Sequence, residues 1–310
     1  MAGAEGLEPQ RGQGLRDILE DLTVPHRDIE AGLRVAGGMD RYPQLSALRG
    51  RAAAALLRKL GQAPTEPGPP TFAGTEEPTL RYFWMLVFAD LAPHVAAWHA
   101  DHGIDAAVSR RTLADLGRHM THNRRRLGYG GLTMNVDWLS SHFQGQLYQL
   151  GRLQFEMTQL GGTAAAAIAA TGRAATAGDA CLAAHIPDYC GPFSPSDCEE
   201  SFALAASFFP QHFPQVAARI ITCHSWLLDR RLPHYLSQTS NIVQFQSLFT
   251  VSHPDQAVDD DNFFASVFGT TDYHDLDALP QTTSLQRALV QNLRDGQHWY
   301  GGVGWRPLAR

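Results

Sequence analysis

Through the first 144 residues apolar positions recur every three to four residues, the spacing that lines up side chains on one face of an α-helix. Leu15, Ile18, Leu19 and Leu22 form one such stripe, and Leu45, Leu48, Ala52, Leu56 and Leu60 a second. Proline lacks a backbone N–H and cannot continue a helix, so the run Pro64-Thr65-Glu66-Pro67-Gly68-Pro69-Pro70 interrupts the pattern. The period resumes from Leu80 to His102, where Phe83, Trp84, Leu86, Val87, Leu91 and Val95 predict a long buried helix. Leu113, Leu116 and Met120 predict one more over Ser109 to Arg124. Residues 1–144 therefore read as an all-helical N-terminal domain.

Near residue 147 the period shortens to two. Arg152-Leu153-Gln154-Phe155-Glu156-Met157 alternates strictly, which puts Leu153, Phe155 and Met157 on the inner face of a half-buried strand. Residues 161–180 are mostly Gly, Ala and Thr, with little to bury, and read as a flexible loop. Cys181 to Pro187 resumes as a strand. Ser194, Pro195 and Asp197 mark a helix start with an N-cap hydroxyl, a proline in the first turn and an acid three residues on. Phe202, Ala205, Ala206 and Phe209 give that helix a buried face, and Pro210 and Pro214 should end it.

A strand over Arg219 to His224 and a short helix over Leu227 to Leu236 follow. Ile242 to Val251 alternates again, with Val243, Phe245, Phe249 and Val251 inward, and Asn262 to Phe268 reads as another strand. Thr283 and Gln286 make a capping box for a helix carrying Leu285, Ala288, Leu289 and Leu293, which Gly296 terminates. Val303 to Arg306 is a last strand. Residues 145–310 thus read as a mixed domain of five or six strands, and the chain as α+β.

Composition removes several function classes. A formal charge of −6 argues against a nucleic-acid binder, and Arg124-Arg125-Arg126 is too short a basic run to reverse this. No apolar run has the length of a membrane span, and the N-terminus lacks the basic start and apolar core of a signal peptide. The four cysteines, Cys181, Cys190, Cys198 and Cys223, form no C-x-x-C pair, so neither a zinc site nor a thioredoxin-type motif is expected. The expectation is a cytoplasmic protein with reduced thiols and no metal. It binds no nucleic acid or membrane, and its oligomeric state, a homodimer included, is open.

Chemistry concentrates in Ile220-Ile221-Thr222-Cys223-His224-Ser225-Trp226-Leu227-Leu228-Asp229. A β-branched run leads into a thiol, an imidazole and a hydroxyl in consecutive positions, then into a leucine-rich segment. A strand end that opens into a loop fixes side chains while leaving them accessible. The structural alternative is a core cysteine followed by residues that cap the next helix.

A series of short motifs in fixed order carries a resemblance. Gly151-Arg152-Leu153-Gln154-Phe155, His185-Ile186-Pro187, Phe208-Phe209-Pro210, Cys223-His224-Ser225-Trp226-Leu227-Leu228 and Ser240-Asn241-Ile242-Val243-Gln244-Phe245 together resemble bacterial acyltransferase-domain proteins. These have a helical N-terminal domain and a C-terminal domain like the GCN5-related N-acetyltransferase (GNAT) fold. The resemblance implies a GNAT-like sheet flanked by helices over residues 145–310. It also implies an acyl-CoA or acyl-carrier-protein donor and a small-molecule amine as acceptor.

The wider fold holds the coenzyme A pyrophosphate on an Arg/Gln-x-x-Gly-x-Gly/Ala loop and the helix N-terminus after it. Arg125-Arg126-Leu127-Gly128-Tyr129-Gly130 matches that spacing, but it follows a helix and precedes the strand region, where a glycine-ended helix C-terminus fits as well. Trp226, Leu227, Arg230 and Arg231, around the helix expected from Leu227, offer a second donor-binding place.

Transfer to an amine needs a base, a stabilised carbonyl oxygen and a protonated leaving thiolate. His224 is the first candidate base and His185, near the end of the neighbouring strand, the second. Cys223 or Ser225 could protonate the thiolate. Strand alternation puts Cys223 and Ser225 on one face and His224 on the other. Asn241 can bind the acceptor or cap its helix. His224 and Asp229 also fit the His-x4-Asp spacing of glycerolipid O-acyltransferases. The non-enzyme alternative is a ligand-binding or regulatory module on a degenerate GNAT scaffold.

Overall fold

A helix apolar on every side has to be enclosed by others. In the structure, a computed structural model, that helix is α4 (Pro78–Asp101), whose residues Tyr82 through Ala89 are all buried. The structure describes residues 14–62, 75, 77–191, 193–252 and 258–308, so the expectations for the N-terminus and for Pro64–Pro70 lie outside the described residues. The chain divides into two compact units, Met1–Gln149 and Leu150–Arg310.

The first unit surrounds α4 with α1 (Leu15–Asp21), α2 (His26–Gly38), α3 (Pro43–Leu57), α5 (Ala106–Leu113), α6 (Asp115–Leu127) and α7 (Val136–Phe143). Leu19, Ile29, Ala53, Leu116, Met120, Leu139 and Phe143 pack with the α4 aromatics in one core. The single helix expected over Ser109 to Arg124 is two helices, because Thr23 intrudes at Ala114. The Thr23 hydroxyl donates to the Ala114 carbonyl at 3.1 Å, and Gly117 N–H donates to Leu22 O at 3.2 Å. A Cβ at residue 117 would collide with the Thr23 carbonyl, so the site needs glycine.

Two buried carboxylates tie these helices together. Asp28 accepts from the Tyr82 hydroxyl at 2.7 Å and from Arg124 Nη2 at 2.6 Å. Asp115 meets Arg118 Nε at 2.7 Å, His142 Nε2 at 3.1 Å and His119 Nε2 at 3.2 Å.

The second unit is built on β1 (Leu147–Leu150), β2 (Leu153–Gln159), β3 (Ala180–His185), β4 (Ile220–Ser225), β5 (Thr250–Ser252) and β6 (Gly302–Pro307), ordered β1-β2-β3-β4-β6-β5; the unit boundary falls within β1. Its helices are α8 (Gly162–Ala169), α9 (Pro195–His212), α10 (Leu232–Tyr235), α11 (Asn241–Gln246), α12 (Asp260–Phe268) and α13 (Ser284–Arg294). α9 is the crossover between β3 and β4, which are parallel; the β2–β3, β4–β6 and β5–β6 ladders are antiparallel.

α9 starts where expected, with the Ser194 hydroxyl accepting from Asp197 N–H at 3.2 Å, but it runs through Pro210 to His212. The buried Ser201 hydroxyl accepts from Arg152 N–H at 2.8 Å and fastens α9 to the start of β2. Phe155 of β2 meets Phe202 of α9, which meets Phe249, so these rings fill one face of the sheet. The Thr283–Gln286 capping box at α13 is formed.

Three further expectations fail here. Residues 161–180 are not wholly a loop: α8 buries Ala164, Ala165 and Ile168 against Cys181 and Trp305. Alanine is the best helix former, and a partner surface supplies the burial that the segment's own composition does not show. Asn262 to Phe268 belongs to helix α12, because Phe263 and Phe264 with Val267 and Phe268 follow helical rather than alternating spacing onto the Trp299 core. Ile242 to Val251 is the short helix α11 followed by β5, the Ser240 hydroxyl accepting from Val243 N–H at 3.3 Å to start the helix.

Candidate active site

β3 and β4 pair in register only at Leu182–Ile221 and Ala183–Thr222. Beyond those positions β3 continues to His185 against β2, and β4 continues to Ser225 against β6. The ladder between the two parallel strands therefore stops two to three residues before the strands do. His185 and His224 occupy this end.

Registers and alternation place these residues on faces. Gln154, Glu156, Ala183, His185, Thr222 and His224 share one face; Phe155, Leu182, Ala184, Cys223 and Ser225 share the other. On the first face His185 Nε2 lies 3.0 Å from Glu156 Oε2. Gln154, directly across the ladder from His185, is buried. The His185 side chain is 27% exposed and that of Glu156 20%, so the pair is shielded and still reachable. His224 is exposed as a residue. Partial burial of its ring, with the neighbouring His185 second, holds its pKa below the usual imidazole range.

The other candidates serve different ends. Cys223 sits on the opposite face, 1% exposed, and burial pushes its thiol up to about 12. The Ser225 hydroxyl accepts from Leu227 N–H at 3.1 Å and starts the turn Trp226–Leu228. Asp229 is fully buried; its carboxylate accepts from Arg231 N–H at 2.6 Å and Tyr300 N–H at 2.5 Å. The His-x4-Asp pairing is therefore not formed: the two oxygens hold the chain after β4 to the chain before β6.

The helix expected from Leu227 is a single 3₁₀ turn followed by the four-residue α10, too short to offer the anion site expected there. Trp226 packs on Phe263 with ring centres 4.9 Å apart, and Leu227 is buried. Arg230 is exposed and Arg231 lies over the Tyr300 ring at 4.4 Å. Asn241 is the exposed first residue of α11, and Ser240 rather than Asn241 caps that helix. Arg125–Gly130 closes α6, with Gly128 at the C-cap in the left-handed conformation, φ +75°. Among the described residues no helix is long and apolar enough to cross a membrane, and no group of three or more His, Cys, Asp or Glu is placed to hold a metal ion.

Residues 147–306 match the family model of a GNAT-like C-terminal domain, and residues 13–145 that of an N-acyltransferase N-terminal domain. The chain belongs to the GNAT-like acyltransferases. No curated protein sequence matches it. Solved structures of such acyltransferases superpose along almost its whole length. A crystal structure of an acyltransferase in complex with decanoyl-CoA and teicoplanin is 35% identical, covers 99% of this chain and 91% of that one, and has a TM-score of 0.84. An acyltransferase in complex with CoA and 10C-teicoplanin is 33% identical at the same coverage, with a TM-score of 0.84. One in complex with decanoyl-CoA is also 33% identical at that coverage, with a TM-score of 0.86.

In this GNAT-like acyltransferase the sequence reading missed Glu156 and Gln154. It treated the polar half of the β2 alternation as a solvent face. The alternation put Gln154 and Glu156 together on the polar face of β2, and the β2–β3 register brings that face to His185.

Proposed function

We propose that this acyltransferase moves an acyl group from acyl-CoA to an amine on a glycopeptide-type small molecule, with His185 as the base. The observation that carries the reading is the Glu156–His185 pair at the point where the β3–β4 ladder stops. Parted parallel strands can receive an extended, amide-containing ligand such as a CoA arm between their edges. The likeness to acyltransferases crystallised with decanoyl-CoA and teicoplanin supports both substrates.

The chemistry follows from the pair. The acceptor ammonium loses one proton, and its nitrogen attacks the thioester carbonyl carbon. As the C–N bond forms, His185 takes the remaining excess proton. The Glu156 carboxylate orients the ring and stabilises the imidazolium that results. The C–S bond then breaks, and the leaving CoA thiolate takes the proton back from the His185 imidazolium, which returns the base to its neutral form. His224, its pKa depressed, stays neutral at neutral pH and does not oppose the charge on His185. Cys223 takes no part, because a thiol with a pKa raised to about 12 supplies no thiolate nucleophile at neutral pH.

Amide rather than ester formation is favoured because Asp229, the acid that an O-transfer pair would use, is occupied by two backbone N–H groups. The test incubates the protein with decanoyl-CoA and a glycopeptide bearing a free amine, followed by mass spectrometry and hydroxylamine treatment. A product gaining one decanoyl group that resists hydroxylamine supports the proposal. A hydroxylamine-labile ester, or no transfer, contradicts it.

A further inference from the structure

The helical unit contains a cavity of about 390 Å³ between the end of α2 and the start of α4. Arg34, Arg41 and Arg81 line it together with Tyr42 and Tyr82, and among the described residues no acidic side chain does. Among the described residues no hydrogen bond or ion pair holds any of the three guanidinium groups. Arg81 is the clearest case: its Nε is buried without a partner, while its plane stacks over the Tyr129 ring at 4.9 Å. A buried guanidinium donor left unsatisfied is costly, and native proteins rarely leave one so.

Three nearby carboxylates are committed elsewhere. Glu30 is bound by Arg16 at 2.8 Å, Glu77 accepts from Thr79 at the start of α4, and Asp28 is taken by Tyr82 and Arg124. Glu30 and Glu77 temper the local positive charge without filling the cavity.

We infer that this cavity binds a phosphate-bearing small molecule. Three arginines lining one cavity offer more donors and charge than a carboxylate uses, and they match the several oxygens and the double charge of a phosphate. The volume lies at the low end for ligand pockets, which suits a phosphate monoester and excludes a folded partner. The site does not depend on the acyl-transfer reading. Its ligand is either a phosphate group of CoA or that of a separate compound.

Calorimetric titration of the full chain with inorganic phosphate, and with CoA and dephospho-CoA, tests the inference. Arg41→Gln, at an exposed position, and the double variant Arg34→Gln/Arg81→Gln are titrated alongside, with circular dichroism confirming their folding. Millimolar or tighter phosphate binding to the wild type, weakened about tenfold or more in both variants, supports the site. A parallel loss of CoA affinity identifies CoA as the source; unchanged CoA affinity identifies a separate phosphate compound. No phosphate binding to the wild type, or binding by Arg41→Gln and by the double variant as tight as that of the wild type, overturns the inference.

Discussion

In the helical unit Asp115 is ringed by Arg118, His119 and His142; in the sheet unit Glu156 holds His185 beside His224. Both are acid–histidine groups at hydrogen-bond distance. The first is closed at its centre, with Asp115 2% exposed and His142 not at all, and the partly exposed Arg118 and His119 lie at its margin. Burial pulls the His142 pKa down to about 4, and charged partners hold the Asp115 carboxyl well below the carboxylate range. The second group lies at the end of a strand ladder, within reach of a ligand. An acid beside a histidine is thus no sign of catalysis by itself. Enclosure makes the first pair a brace between helices; the opening beside the second leaves it available for the base proposed above.

The largest effect expected from breaking this contrast is Asp115→Ala. Removing one partner of a buried ionic group strands the others, so stability should fall by about 3–5 kcal/mol in denaturant titrations. Acyl transfer per folded molecule should not change.

Acid should act on the same unit. Burial lowers the pKa of His99 and of His142 from 6.5 to about 4. The unfolded chain takes up protons on these rings below pH 6.5, whereas the folded chain does not until about pH 4. Stability is therefore full above pH 6.5 and lost as pH falls toward 4, by roughly 3 kcal/mol for each ring. Urea midpoints measured from pH 7 to 4 check this, and His99→Gln should flatten the curve.

Glu156→Gln sharpens the other side of the contrast. It keeps the shape but removes the charge that supports a protonated His185. Turnover should drop about ten- to a hundredfold, worth about 1.5–3 kcal/mol of barrier, with the melting temperature nearly unchanged. Ser194→Ala, at the start of α9, is a milder control. Loss of the α9 cap should cost about 1 kcal/mol of stability and leave the rate alone.

The elements that the sequence announced were those whose pattern is long or strongly capped. α4 is apolar on all sides from Tyr82 to Ala89, β2 alternates, and α9 and α13 begin with matched caps. α8 was hidden because its burial depends on Cys181 and Trp305, which lie elsewhere in the chain. α11 was hidden because six residues fit either period. In the site, His185 and His224 stood out as strand-end imidazoles, but Glu156 did not. Only the β2–β3 register shows that its polar face is the one His185 uses. Cys223 and Asp229 stood out for their chemistry, and both are buried in the structure.

The most direct measurement is the rate of acyl transfer from saturating decanoyl-CoA by His185→Ala, beside its thermal melting curve. The account predicts a rate lower by a factor on the order of 100 or more, with an unshifted melting midpoint. A variant that transfers as fast as the wild type would contradict it.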